Sequence, residues 1–199
     1  MPEGKKYKTI VGESSAEFRD RGSKFLAFAY PVLTLEQTKM LLRKLKSAHP
    51  KAAHHCLAFR LGHDGNQYKA ADDGEPAGTA GRPILGAIDS AGLTNVMVVV
   101  VRYFGGTLLG VPGLIHAYGS VAAESLRVAE VAEHWIERNA TIECNYPALG
   151  EVLYILKKHE ATLIEQDFQL FCRIQAGIPM HLYDACTSQL SEIRDVRIL

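Results

Sequence analysis

Ala71-Asp72-Asp73-Gly74-Glu75-Pro76-Ala77-Gly78-Thr79-Ala80-Gly81 is answered downstream by Arg102-Tyr103-Phe104-Gly105-Gly106-Thr107-Leu108-Leu109-Gly110. Acids, a proline and glycines packed this densely do not build a core; they specify a tightly shaped loop. Between the two runs lies Val96-Met97-Val98-Val99-Val100-Val101, continuously apolar and rich in β-branched residues. That composition suits a central strand covered on both faces. Thr79 to about Ser90 reads as a helix whose first turn is restricted by Pro83, with Gly92 as its breaker. Pro112 marks the start of another, with Leu114, Tyr118, Val121, Ala122, Ser125 and Ala129 on its packed face.

Working outward, Lys8 to Gly12, Ala16 to Arg21 and Lys24 to Val32 read as short strands, with Gly22-Ser23 as a tight turn. Thr34 and Gln37 form a capping box ahead of a one-sided helix. Its apolar face carries Thr38, Leu41, Leu42 and Leu45, and Lys39, Arg43, Lys44 and Lys46 lie around the other side; Pro50 ends it. His54 to Leu61 returns as a strand, and His63-Asp64-Gly65-Asn66 turns the chain into another around Tyr68. This first domain spans residues 1–134.

Residues 135–199 have a separate rhythm. A strand from Ala140 to Asn145 leads through Pro147 to a helix with Leu149, Val152, Leu153 and Leu156 on one face. Strands near Ala161–Asp167 and Gln169–Ala176 follow. Pro179 then opens a helix with Leu182, Ala185, Cys186 and Leu190, and Asp195 to Leu199 closes the chain as a strand. The order β-α-β-β-α-β is the split βαβ, or ferredoxin-like, pattern. The fold class is α+β.

The formal net charge of the 199 residues is zero but unevenly spread. Residues 1–51 hold eleven Lys or Arg against five Asp or Glu, a balance of +6. Residues 52–136 and 137–199 each balance at −3, with five against eight and six against nine. Bulk attraction to nucleic acid is therefore excluded, and any such contact falls to a local amino-terminal patch. No apolar stretch has the length of a membrane span, and Met1-Pro2-Glu3-Gly4-Lys5-Lys6 precedes no apolar segment of the signal-peptide kind. Cys56, Cys144, Cys172 and Cys186 are scattered, as expected of reduced, mostly buried thiols in a cytoplasmic protein.

Several constellations bear on chemistry. Asp72, Asp73 and Glu75 supply hard oxygen ligands, but their spacing is not that of a calcium loop; turn capping by Asp73-Gly74 and acid–base work are the other readings. Arg102 is placed either to clamp an acid of the Asp72–Glu75 loop or to meet a ligand or RNA. Gly105, Gly106 and Gly110 expose amides near a helix start, yet the Lys and Ser/Thr of a nucleotide loop are missing. In His54-His55-Cys56 the first and third residues share a strand face, and no third catalytic partner or further metal ligand is signalled. The carboxy-terminal domain lacks an aromatic RNA-recognition signature; Phe168 and Phe171 sit beside a strand junction.

With Gly113-Leu114-Ile115-His116-Ala117-Tyr118, the two glycine-rich runs closely resemble the motifs of the YigZ/IMPACT family, and with the carboxy-terminal domain the resemblance covers nearly the whole chain. It implies a first domain of ribosomal protein S5 domain 2-like fold and a ferredoxin-like second domain, similar to the last two domains of the translocating elongation factor (elongation factor G C-terminal-like). It also implies a link to translation, because eukaryotic relatives of the first domain are translation regulators that bind a large activator of an initiation-factor kinase. Asp72, Asp73, Glu75, Thr79, Arg102, Tyr103, Gly105, Gly106, Gly110, Gly113 and Tyr118 stand where the family's motifs have them. Val111-Pro112 departs from the usual small residues. His116 stands where Arg or Lys is commoner, which removes a permanent positive charge.

The resulting expectation is a cytoplasmic binding protein without catalytic residues, metal or cofactor, recognising a translation-apparatus protein or structured RNA. Its site comprises Asp72, Asp73, Glu75, Thr79, Arg102, Tyr103, Gly105, Gly106, Gly110 and Tyr118, with Lys39, Arg43, Lys44 and Lys46 as a basic face. The rival is a hydrolase-like small-molecule enzyme, which requires Asp72, Asp73 and Glu75 to converge on a deep pocket backed by Arg102 and His54. The sequence leaves the oligomeric state open.

Overall fold

A computed structural model describes residues 4–199; Met1, Pro2 and Glu3, which open the segment discussed above for targeting, lie outside the described residues. The first elements are Lys6–Ile10 (β1), Ser14–Asp20 (β2), Ser23–Pro31 (β3), Leu35–Ala48 (α1), His54–Leu61 (β4) and Gln67–Ala71 (β5). Gly81–Ser90 (α2), Val96–Tyr103 (β6), Gly110–Arg127 (α3) and Val131–Trp135 (β7) follow. The carboxy-terminal part contains Glu137–Cys144 (β8), Tyr146–Lys158 (α4), Thr162–Phe168 (β9), Cys172–Pro179 (β10), Tyr183–Ser191 (α5) and Val196–Ile198 (β11). Two compact units result: Tyr7–His134, and Trp135–Leu199 together with the amino-terminal segment up to Lys6.

In the first unit five strands form a sheet of order β2-β3-β6-β4-β5, antiparallel at every junction. Seven of the eight β6 residues are buried, because both faces of the sheet are covered. Val96, Val98 and Val100 pack with Ile84 and Ile88 of α2 and Leu114, Tyr118 and Val121 of α3. Met97, Val99 and Val101 face the other way, toward Leu41, Leu42 and Leu45 of α1. Continuous hydrophobicity here reflects a three-layer stack rather than parallel pairing. The Thr34–Gln37 capping box forms as read, with Thr34 accepting from the Gln37 amide.

In the second unit the strand order is β11-β8-β10-β9, again antiparallel throughout. Numbered within the unit this is 4-1-3-2, the ferredoxin-like arrangement. Ile142, Ile174 and Ile178 bury against Val152, Leu156, Cys186 and Leu190 from the two helices. The molecule is thus α+β, with an S5 domain 2-like first domain and a ferredoxin-like second one.

Some boundaries differ from the sequence reading for identifiable reasons. β7 was not anticipated; it pairs with β1, and its five residues, Val131-Ala132-Glu133-His134-Trp135, carry no hydrophobic alternation strong enough to reveal it. α2 begins at Gly81 rather than Thr79, because the Asp72 carboxylate captures the Gly78, Ala80 and Gly81 amides ahead of the first turn. Pro179 ends β10 instead of opening a helix, Leu182 is the N-cap of α5, and Ala185 is exposed rather than packed.

The double cover of β6 makes a direct prediction. Val99→Ala and Val100→Ala, on opposite faces, should each lower unfolding stability by about 1.5–3 kcal/mol. Urea midpoints of the two variants check this; a near-zero cost for either one contradicts packing on that face.

Candidate functional site

Arg102, the penultimate residue of β6, lies in a cross-strand row with Phe25 of β3 and His54 of β4. Its side chain enters the α2/α3 side of the sheet and is only 5% exposed. Nη1 donates to Glu75 Oε1 at 2.5 Å, and Nη2 donates to Ser23 Oγ at 3.4 Å. The Phe25 and Phe104 ring centroids lie 5.4 and 5.5 Å from the guanidinium carbon. Nε has no hydrogen-bond partner, so the aromatic faces are the compensation on that side.

Glu75 arrives from the loop between β5 and α2 and is 9% exposed. Its Oε1 also accepts from the Tyr118 hydroxyl at 2.7 Å, and His54 Nε2 stands 3.8 Å away. Tyr118 is fully buried on α3, its ring edge-on to Phe25. Burial holds its hydroxyl protonated far above the usual range, reinforced by Cys56 and Glu75, so it acts as a donor to Glu75. Of the two roles open to Arg102, the structure has the internal one: the guanidinium locks the two glycine-rich segments together.

The other two acids point elsewhere. Asp72 accepts amides of Gly78, Ala80 and Gly81 at 2.9, 3.1 and 2.8 Å, serving as the anion at the start of α2. Burial pushes its pKa up, but those amides and Arg82 outweigh it, leaving the carboxyl below its ordinary value. Asp73 accepts the His55 amide at 2.8 Å and pairs with Lys46 of α1 at 3.1 Å. Burial opposes these partners too, and again the net direction is down. Thr79 is buried and donates to the Pro76 carbonyl. The three carboxylates therefore diverge, and the convergence that the hydrolase reading requires does not occur. A cavity of about 350 Å³ beside Ala70, Ala77 and Arg82 is reached by Asp72 alone among them.

The remaining candidates divide between the opposite sheet face and the exposed loop. Tyr103 points to the opposite face, its hydroxyl 2.9 Å from His49 Nδ1 at the end of α1. Gly105, Gly106 and Gly110 are exposed. Gly105 is a packing requirement: its amide donates to Ser23 Oγ, and an added Cβ would sit 1.9 Å from the Gly22 carbonyl carbon. Gly81 is similar, since a Cβ there would lie 2.5 Å from the Ala71 amide nitrogen. Lys39, Arg43, Lys44 and Lys46 are all exposed, although Lys46 is committed to Asp73.

Sequence reading passed over two features. Ser23 ties the hairpin to both Arg102 and Gly105, and Phe104, Leu108 and Val111 are large hydrophobics left exposed along the rim of the loop. Leu108 is 81% exposed. The sequence places Ser23 only in a tight turn with Gly22, with no signal of its partners, whereas the rim is legible as large hydrophobics inside a glycine-rich loop.

Cys56 shares the face of His54, donating to the Asp72 carbonyl and approaching the Tyr118 hydroxyl. Burial pushes its thiol up to about 12, so it is not a thiolate at neutral pH. All four cysteines are free and buried. Among the described residues no cluster of three or more His, Cys, Asp or Glu side chains is arranged to hold a metal.

Two predictions follow from this geometry. Arg102→Ala leaves the Glu75 carboxylate buried without its cation and should cost about 3–5 kcal/mol of stability, measured by chemical denaturation. Asp72 has a depressed folded pKa, so its contribution is present above the ordinary carboxyl pKa of about 4 and disappears as pH falls through the folded value. Asp72→Asn should therefore lower the melting temperature at neutral pH and flatten its decline on acidification, compared with the unsubstituted protein in a pH series.

A family model described as the Impact N-terminal domain matches residues 21–126. An IMPACT family member of Haemophilus influenzae is 35% identical over 195 residues, 96% of this chain and 94% of that protein. The IMPACT family member YigZ of Escherichia coli is 34% identical over 159 residues, 79% of this chain and 78% of that one. A crystal structure described as that of a hypothetical protein matches with a TM-score of 0.76 at 28% identity, covering 98% of this chain and 96% of the other. The glycine-rich motifs, the two-domain architecture and these matches agree: this chain belongs to the IMPACT family.

Proposed function

We propose that the protein is a non-catalytic binding protein of the translation apparatus, working in the cytoplasm and recognising a partner protein through the rim of the glycine-rich site. The single observation that carries the reading is the division of labour within that site. Glu75, Arg102, Tyr118, Thr79 and Asp72 are turned inward, hydrogen-bonding one another, the Ser23 side chain and the backbone. What remains for a partner is the stretch from Phe104 into the first residues of α3, exposed except at Leu109, with large apolar side chains and accessible glycine backbone. Exposed hydrophobics on a rigidly held loop are the anchors of a protein interface. The link to translation comes from the family resemblance.

Structured RNA is a second reading, supported by the exposed Lys39, Arg43 and Lys44 on α1. A mixed-charge protein with one basic helix face makes few phosphate contacts, and its affinity falls with salt accordingly. His116, exposed on α3, adds no permanent charge to that surface.

Co-sedimentation of the purified protein with ribosomes tests both. Leu108→Asp changes only an exposed side chain, and it should weaken saturable binding about tenfold while the melting temperature stays unchanged. Binding unaffected by this variant counts against the apolar rim. Lys39→Glu combined with Lys44→Glu should leave binding intact under the protein-partner reading. A reduced salt dependence in that variant supports RNA instead.

A further inference from the structure

The sheet of the second unit ends on β9 at one edge and on the three-residue β11 at the other. β9 is the terminal strand beyond β10, and all seven of its residues are exposed. Tyr146 at the start of α4 fixes its far end by donating to the Phe168 and Gln169 carbonyls. A strand held in place with one side unpaired is a template for an added strand.

The two faces of that edge differ in chemistry. Thr162, Glu165 and Asp167 pair with Gly177, Gln175 and Arg173 and lie on the sheet face that carries no helix. Glu165 accepts from Gln175, and Glu143 takes Arg173, so this part of the face is acidic. Gln166 and Phe168 pair with the core-facing Ile174 and Cys172 and so lie on the opposite side; Leu163, opposite Ala176, joins them only beyond a register shift that skips Ile164. Leu170 and Phe171, in the turn to β10, are 91% and 70% exposed.

We propose that the outer edge of β9 is a docking site for an extended protein segment that alternates basic and apolar residues. Added as a fifth strand, such a segment sets its basic side chains beside Glu165 and Asp167. With period-two alternation over the regular stretch from Glu165 to Phe168, its apolar side chains then fall beside Gln166 and Phe168, short of the register shift at Ile164. A second copy of this chain is a poorer occupant. β9 against itself brings Glu165 and Asp167 onto like charges, and the opposite edge, β11, is only three residues long. The site is independent of the glycine-rich loop and of the translation reading.

The test uses the full-length isotope-labelled protein and a capped synthetic peptide of alternating lysine and valine, as long as β9. A glutamate–valine peptide serves as control. The expected result is slowed hydrogen exchange at β9 amides on adding the lysine peptide, with affinity at least about tenfold above that of the glutamate peptide and weakened by salt. Glu165→Lys combined with Asp167→Lys, both exposed, should reverse the preference. Equal affinity for the two peptides, peptide-induced changes that spare the β9 amides, or light scattering showing β9 already occupied by a second copy would each overturn the proposal.

Discussion

The ion pair between Glu75 and Arg102 is the constraint on which the first domain's site depends. An isolated charge in either position would cost several kcal/mol to bury. Here one carboxylate oxygen takes both the guanidinium and the Tyr118 hydroxyl, while Ser23 and two aromatic rings meet the remaining side of the arginine. The contact joins the β5–α2 loop, the end of β6, the middle of α3 and the β2–β3 turn. Those segments are distant in sequence, and although β3 and β6 share a ladder, it does not reach the β5–α2 loop or α3. The pair also explains why two glycine-rich turns can touch: with Arg102 drawn inward, Gly105 comes to rest against Gly22, where no side chain fits.

Asp72 and Asp73, adjacent in the chain, show how a tight turn divides its polar groups. Asp73 has positive φ, +44°, a conformation Asp tolerates better than most residues. The reversal sends the Asp72 carboxylate to the α2 amides and the Asp73 carboxylate to β4 and Lys46. One acid completes a helix terminus, and the other fastens the loop to the opposite layer. Both are consumed by the fold, which is the physical reason these carboxylates do not assemble an acid–base pair.

Much of this was legible because the strong signals are local. The capping box, the apolar β6 run and the β-α-β-β-α-β order each depend on periodicity or on residues a few positions apart. The Arg102 partnership was one of two open readings, since sequence identifies a cation and nearby acids without saying which way a strand-end side chain turns. Ser23 and the close approach of Gly22 to Gly105 were invisible, because both are long-range contacts between turns. β7 was missed because pairing with β1 makes it a strand, not its own composition. The Pro179 misreading has a similar origin: proline is compatible with a strand end as well as a helix start, and the neighbouring ladder decides.

The family motif therefore mixes two kinds of residue. Glu75, Arg102, Thr79 and Tyr118 match it, yet they are buried; Gly105, Gly106 and Gly110 match it and are exposed. A motif of this kind encodes a loop shape first and a contact surface second. Loss of partner binding on changing Arg102 would then report collapse of the loop, whereas loss on changing Leu108, outside the matched positions, would report contact. The most family-like side chains are poor probes of recognition, and the exposed rim beside them is the informative place to look.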